Sequence, residues 1–214
     1  MKVIEIFDSI EGEGKRTGQL ATFIRLAGCN LRCSYCDTTY SYDDEDAVEM
    51  TIEEIISRVT YLSVTVTGGE PLIHKDIKDL VRALCLKGCQ VNIETNGSVY
   101  LGSSVFLNPE FDVFMTMDYK CPSSKMEKHM ELSNLTDLRP IDVLKFVVGS
   151  IEDLDRMREV LSAFPINAQI YISAVFGKIE LDAIVEYMKA FNLTDVKLQI
   201  QMHKIVYPEN MRGV

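Results

Sequence analysis

Three cysteines stand within eight residues, Cys29, Cys33 and Cys36, in the run GCNLRCSYCDT. The spacing C-x3-C-x2-C puts three thiolates in one tight loop, and the polar neighbours Asn30, Arg32, Ser34 and Asp37 set these residues apart from core cysteines. A cubane iron–sulfur cluster takes one ligand per iron, so three cysteines leave one iron open to a group that is not protein. Zinc is the competing metal, but a structural zinc site needs a fourth ligand and commonly shows a second C-x2-C pair. Cys85, Cys89 and Cys121 form no such pair and fall in segments that read as ordinary secondary structure or loop. A second chemical feature is Thr67-Gly68-Gly69-Glu70-Pro71 after the strand-like run SVTVT. Taken alone it reads as a turn signal, more often structural than not, whose glycines permit close backbone approach.

These groups must be carried by a framework, and the bulk composition bounds it. The chain has 214 residues, 47% of them hydrophobic, enough to bury a sizeable core as one domain over residues 1–214. Lys and Arg number 22 against 32 Asp and Glu, a formal charge of −10 that repels a phosphate backbone and argues against nucleic-acid binding. Met1 to Ile10 reads MKVIEIFDSI, neither an apolar signal core nor an Arg-rich amphipathic segment, and no later run approaches membrane-spanning length. The expectation is a soluble cytoplasmic protein whose thiols stay reduced.

Strand-like segments run over Ala21–Leu26, Ser63–Thr67, Gln90–Glu94, Asp112–Met117, Val143–Val148, Gln169–Ser173 and Val196–Gln201. Helices alternate with them. Thr51 with Glu54 forms a capping box before the stripe Ile52, Ile55, Ile56 and Val59. Ile77, Leu80, Val81, Leu84 and Cys85 make a second stripe that ends at Gly88, which places Cys85 in the core. Ser150 starts a third helix stopped by Pro165, and Leu181, Ile184, Val185 and Met188 mark a fourth. Thr39–Met50 and Cys121–Pro140 read as loops. The alternation predicts an α/β fold with parallel strands and helices outside, either an incomplete TIM-like barrel or an open doubly wound sheet, with ligands at the carboxyl ends of the strands.

The triad, with Tyr35 directly before its last cysteine, resembles the signature of the radical S-adenosylmethionine superfamily, and Thr67–Pro71 resembles that superfamily's Gly-Gly-Glu motif. The resemblance implies a partial-barrel core and a 4Fe-4S cluster on Cys29, Cys33 and Cys36. It also implies S-adenosylmethionine on the open iron, cleaved to a 5'-deoxyadenosyl radical. More of the chain is similar to the 7-carboxy-7-deazaguanine synthase family: IFDSIEGEGKRTGQLATFIRLAGCNLRCSYCDTTY, Asp118-Tyr119-Lys120 with Pro122-Ser123-Ser124, LKFVV, and the ending LQIQMHKIVYPENMRGV. That likeness implies a lyase of queuosine and 7-deazapurine biosynthesis. Its reaction converts 6-carboxy-5,6,7,8-tetrahydropterin to 7-carboxy-7-deazaguanine with loss of ammonia, using S-adenosylmethionine catalytically.

By position the resemblance assigns Tyr35, Cys36, Asp37, Gly69, Glu70, Asp118, Tyr119 and Lys120 to S-adenosylmethionine, and Thr38 to Mg2+. Ile10, Glu11, Gly12, Arg25, Thr67, His203 and Val214 fall to the pterin. Arg25 suits a carboxylate in bidentate fashion, whereas its plain reading is a strand-end ion-pair partner. Glu11 replaces a common Gln, Tyr35 and Tyr207 stand where Trp is frequent, and a carboxylate at position 11 accepts hydrogen bonds without donating. His74 and His129 read as loop histidines. A flavodoxin or ferredoxin is implied as the low-potential electron donor, and a homodimer as the assembly. Two rival readings stay open: an activase that installs a glycyl radical on a partner enzyme, and a non-catalytic iron–sulfur or zinc module.

Overall fold

The computed structural model describes residues 1–102, 106, 108–208 and 211–214; Glu209 and Asn210, inside the family-like ending, lie outside the described residues. Among the described residues, nine strands, β1 (Lys2–Ile10), β2 (Leu20–Leu26), β3 (Val48–Glu49), β4 (Ser63–Gly68), β5 (Gln90–Thr95), β6 (Val113–Lys120), β7 (Val143–Val148), β8 (Gln169–Ala174) and β9 (Val196–Gln199), form one sheet in the order β3-β1-β2-β4-β5-β6-β7-β8-β9. Every pair from β2 to β9 is parallel, while β1 runs antiparallel to both β2 and β3. β3 and β9 are edges, so the sheet is an incomplete barrel.

The strands alternate rather than being apolar on both faces. Val64, Val66, Val91, Ile93, Met115, Met117, Leu144 and Phe146 turn outward into a core shared with Ile55, Leu80, Val81, Leu84, Leu154, Met157, Val160 and Ile184 of the surrounding helices. Thr67, Glu94, Asp118 and Lys145, one position away, turn inward to a cavity. This period of two separates a dry outer layer from a polar interior, and the polar interior is the site.

The helical segments have local causes. In α1 (Ile52–Ser57), Glu54 N–H donates to Thr51 Oγ1 at 3.2 Å while Thr51 N–H donates to Glu54 Oε2 at 2.7 Å, closing the capping box. α2 (Ile77–Leu86) buries Ile77, Leu80, Val81 and Leu84, with Cys85 half-buried against the same core. The short α3 (Asn134–Asp137) precedes β7. In α4 (Ile151–Ala163) the Ser150 side chain accepts from Asp153 N–H, and the helix ends before Pro165; α5 (Leu181–Ala190) and α6 (His203–Val206) follow.

Several boundaries differ from the sequence reading. β1 was not anticipated, because a strand antiparallel to its neighbour lacks the strand–helix alternation used to find the others. β6 continues to Lys120, which puts Asp118 and Lys120 on a strand, and β9 stops at Gln199. Val59 lies beyond α1, whose C-terminal cap is Arg58. The Thr39–Met50 segment contains β3 and a 3-10 turn at Thr39–Ser41; Cys121–Pro140 contains α3 and two such turns.

The loop between β1 and β2 closes one end of the barrel. Gly14 N–H donates to Gln199 Oε1 at 2.8 Å, Lys15 Nζ donates to Ile141 O at 2.9 Å, and Arg16 Nη1 donates to Gln90 O at 3.1 Å. These bonds tie the amino ends of β5 and β7 to Gln199, the last residue of β9. The carboxyl ends of the other parallel strands remain open.

Candidate active site

At the carboxyl ends lies a cavity of about 950 Å3, at the top of the range for small-molecule sites and roomy enough for more than one ligand. Cys29, Cys33 and Cys36 line one wall, half-buried and free of disulfides. Their loop leaves β2 and is pinned by Gly28 N–H to Ser41 O and by Ser34 N–H to Ser124 O, at 2.8 and 3.1 Å. A Cβ on Gly69 would strike the Gly28 carbonyl and Cys29 Cβ, so only glycine lets the turn after β4 lie against the triad. The Cys29 sulfur accepts from Leu31 N–H at 3.5 Å and Asn96 Nδ2 at 3.8 Å. Among the described residues, no three His, Cys, Asp or Glu side chains converge around a single ion. The thiols are instead distributed along a wall open to the cavity. Soft thiolate ligands of that kind, with N–H donors on sulfur, fit a cluster that keeps one iron open.

Of the residues expected at S-adenosylmethionine, Tyr35, Cys36, Asp37, Gly69, Asp118 and Lys120 line the cavity. Tyr35 hydroxyl lies 3.5 Å from Val147 O, and burial pushes its pKa up. Burial also raises the Asp37 carboxyl, but the Lys204 ammonium 3.1 Å away outweighs it and holds the pKa below its ordinary value. Two side chains point elsewhere. Tyr119 falls on the outward phase of β6, fully buried against Phe146 with its hydroxyl donating to Glu127 Oε1 at 2.8 Å. Glu70 is equally buried and turns away from the cavity, accepting from Leu72 N–H, Thr95 Oγ1 and Asn96 N–H at 3.0, 2.8 and 2.6 Å. Its carboxyl is therefore a brace for the neighbouring turn rather than a wall of the cavity.

Of the residues expected at the pterin, Ile10, Gly12, Arg25, Thr67, His203 and Val214 line the same cavity. Glu11 does not. It is 1% exposed and accepts from Arg16 Nη2 and Thr65 Oγ1, both at 2.5 Å, because its position after β1 turns it under the barrel. Arg25 Nε donates to Glu5 Oε1 at 2.7 Å, which fixes the guanidinium beside the Phe7 and Tyr40 rings. Arg25 and Thr67 are register partners across β2 and β4. Gly12 has no Cβ to collide with the His203 ring, so the tail packs on the EGEG loop, where Met202 N–H also donates to Gly12 O at 3.0 Å. Thr38 lines the cavity too and donates to Asp37 Oδ1 at 3.0 Å.

The floor holds charges that sequence reasoning did not single out. Lys145, buried, reaches Glu13 Oε2 at 2.9 Å and its register partner Asp118 at 3.1 Å, while Lys120 reaches Asp118 at 2.8 Å. Ser173 Oγ donates to Glu13 Oε1 at 2.7 Å. Burial opposes ionisation of Glu13, yet Lys145 prevails and its pKa lies below the ordinary value. Glu94 is pushed up to about 7, chiefly by burial, with Lys145 opposing and Glu11 and Glu13 adding to the rise. A carboxyl poised there exchanges a proton near neutral pH. The available signal was polar residues at alternate positions of apolar strands, as in QVNIET and VLKFVV.

Known proteins share this architecture and sequence. The model of the radical SAM superfamily matches residues 23–103. The chain is 47% identical to 7-carboxy-7-deazaguanine synthase of Clostridium acetobutylicum, covering 100% of this chain and 99% of that one. It is 40% identical to the same-named enzyme of Methanospirillum hungatei, over 96% and 85% of the two chains. Among solved structures, QueE from Escherichia coli superimposes with a TM-score of 0.76 at 23% identity and 94% coverage of both chains. SuiB of Streptococcus suis, bound to S-adenosylmethionine, gives 0.56 at 17% identity, over 85% of this chain and 50% of that one. The two structural likenesses establish the fold, and the full-length sequence identities establish more: the chain belongs to the 7-carboxy-7-deazaguanine synthase family of radical S-adenosylmethionine enzymes.

Proposed function

We propose that this chain is the lyase that converts 6-carboxy-5,6,7,8-tetrahydropterin to 7-carboxy-7-deazaguanine with loss of ammonia. The observation that carries this reading is the full-length identity of 47% to a relative of that name. The cavity supports it by setting the cysteine triad and Arg25 around one space. Cys29, Cys33 and Cys36 would hold the cluster; with S-adenosylmethionine bound, it supplies a 5'-deoxyadenosyl radical able to take hydrogen from unreactive carbon.

The chain's own groups bind, orient and neutralise. Arg25, steadied by Glu5, grips the substrate carboxylate. Glu13 and Glu94 accept from the guanidine-like edge of the pterin, and His203 with Val214 borders it from the tail. Asp118 and Lys120, which line the cavity with Tyr35, would meet the polar parts of S-adenosylmethionine, and Tyr35 would border its adenine. Thr38, which lines the cavity, would offer one oxygen to Mg2+. Glu94, near neutrality in pKa, is placed to take up or return a proton as ammonia leaves. The reading also includes one radical SAM domain over residues 1–214, a flavodoxin or ferredoxin as electron donor, a homodimer and a cytoplasmic location. Among the described residues no helix is long and apolar enough to cross a membrane.

The test is anaerobic incubation of reduced, cluster-loaded protein with S-adenosylmethionine and the carboxytetrahydropterin. Stoichiometric ammonia and the deazaguanine acid by mass are expected. Absence of both from protein holding about four irons per chain overturns the assignment.

A further inference from the structure

We infer that Asn96 is a determinant of the cluster's reduction potential, through a hydrogen bond to the Cys29 ligand sulfur, and that Glu70 is the positioning residue that holds it there. The inference rests on the radical SAM reading of the triad. Asn96 follows β5 directly and is 7% exposed. Its side chain is fixed at both ends. Oδ1 accepts from Ser98 N–H at 2.9 Å and Ser98 Oγ at 2.6 Å, which turns Nδ2 toward Cys29 Sγ at 3.8 Å and Asn30 Oδ1 at 3.1 Å.

The backbone beneath it is held by Glu70. All three partners of that carboxylate are donors: Leu72 N–H, Thr95 Oγ1 and Asn96 N–H. Two belong to the turn that presents the amide, and the third anchors the carboxylate to its own 3-10 turn at Pro71–Ile73. A carboxylate is the only ordinary side chain with acceptors on both atoms of its planar fork. Gln would set its NH2 against one of these donors and push the turn away.

The reduced cluster carries one more negative charge than the oxidised one, so an N–H aimed at a ligand sulfur stabilises the reduced form and raises the potential. Asn96→Leu removes that donor at similar volume. A tenfold difference in the strength of that bond between the reduced and the oxidised cluster corresponds to about 59 mV for one electron. The variant should therefore titrate at a potential more negative by roughly that amount.

The experiment is an EPR-monitored redox titration of the full chain, reconstituted anaerobically and matched for iron and sulfide. Burial raises the Glu70 pKa to about 7, so the titration is run above about pH 8, where Glu70→Gln removes a negative charge as well as a brace, and the variant is read by a double-mutant cycle. If Glu70 acts through Asn96, Glu70→Gln shifts the potential in the negative direction less, or in the positive direction more, when Asn96 is already Leu. A loaded Asn96→Leu protein with an unmoved potential overturns the role of Asn96, and an additive cycle overturns that of Glu70. Should the variant not take up a cluster, wild-type protein with 15N in its asparagine side-chain amides serves instead. A 15N hyperfine coupling on the reduced cluster is expected from Asn96, because Asn30 Nδ2 is turned to Ser98 Oγ at 2.8 Å, and its absence refutes the bond. Failure of wild-type protein to assemble a cubane would overturn the radical SAM reading itself, a result distinct from these.

Discussion

Replacing Lys145 by Met tests the account of the cavity floor most directly. Its ammonium lies 2.9 Å from Glu13 Oε2 and 3.1 Å from Asp118 Oδ1, in a side chain 8% exposed. At an effective dielectric of about 20, each contact is worth about 5 kcal/mol of gross attraction. Desolvation offsets much of this, and breaking a buried pair by deleting one partner costs about 3–5 kcal/mol net. For a chain of this size each kcal/mol moves Tm by about 2–4 °C, so Lys145→Met should melt roughly 6–20 °C lower at pH 7.

The pH dependence supplies an internal control. Lys145 helps hold the Glu13 and Asp118 carboxyls below their ordinary values of 4.5 and 3.8. A depressed folded-state pKa contributes stability above the unfolded value and loses it as pH falls through the folded value. Without Lys145 the depression at Glu13 is lost and burial favours its protonated form, while Asp118, held down first by Lys120 at 2.8 Å, keeps part of its own. The gap in Tm between the two proteins is therefore widest at neutral pH and narrows below about pH 4.5. Calorimetry across that range measures it. A fall under about 2 °C at pH 7, or a gap that does not change with pH, refutes the argument that Lys145 neutralises the floor.

Other perturbations separate binding from stability. Arg25→Lys keeps the charge but loses the planar fork, and at about 1.5–3 kcal/mol per charged hydrogen bond KM for the pterin should rise about 10- to 100-fold with kcat changed less; an unchanged KM returns Arg25 to a mere partner of Glu5. Glu11→Ala leaves the Arg16 guanidinium buried without its carboxylate and should cost about 3–5 kcal/mol in urea unfolding. Its KM should stay within about twofold, since the Glu11 side chain does not line the cavity, and a large KM effect would contradict that placement. Thr51→Ala opens the capping box of α1 and should lower stability by about 1 kcal/mol without altering turnover.

The chemistry of the site was legible because it is written in local spacing. Cys29, Cys33 and Cys36 sit in one loop, Gly69 must be glycine to approach them, and Thr51 with Glu54 caps a helix within one turn. The parallel α/β architecture followed from alternating segments whose periodicity is also local. Tertiary structure decided everything that depends on which face of a strand a residue occupies and what lies across from it. Tyr119 is one position from Asp118 and Lys120, yet strand alternation buries it on the helix side. Glu11 and Glu13 are two residues apart in the EGEG loop, but Arg16 draws one beneath the barrel while Lys145 and Ser173 hold the other on its floor. Lys145 and Glu13 are separated by 132 positions, and no local pattern announces their pairing. Glu70 likewise sits in a motif suited to an ammonium, but three donors from its own turn and the end of β5 claim its carboxylate. Sequence fixes which groups are present and how far each can reach along the chain. Only the curling of the sheet brings distant charges within a few ångströms, where their mutual attraction offsets much of the cost of leaving water.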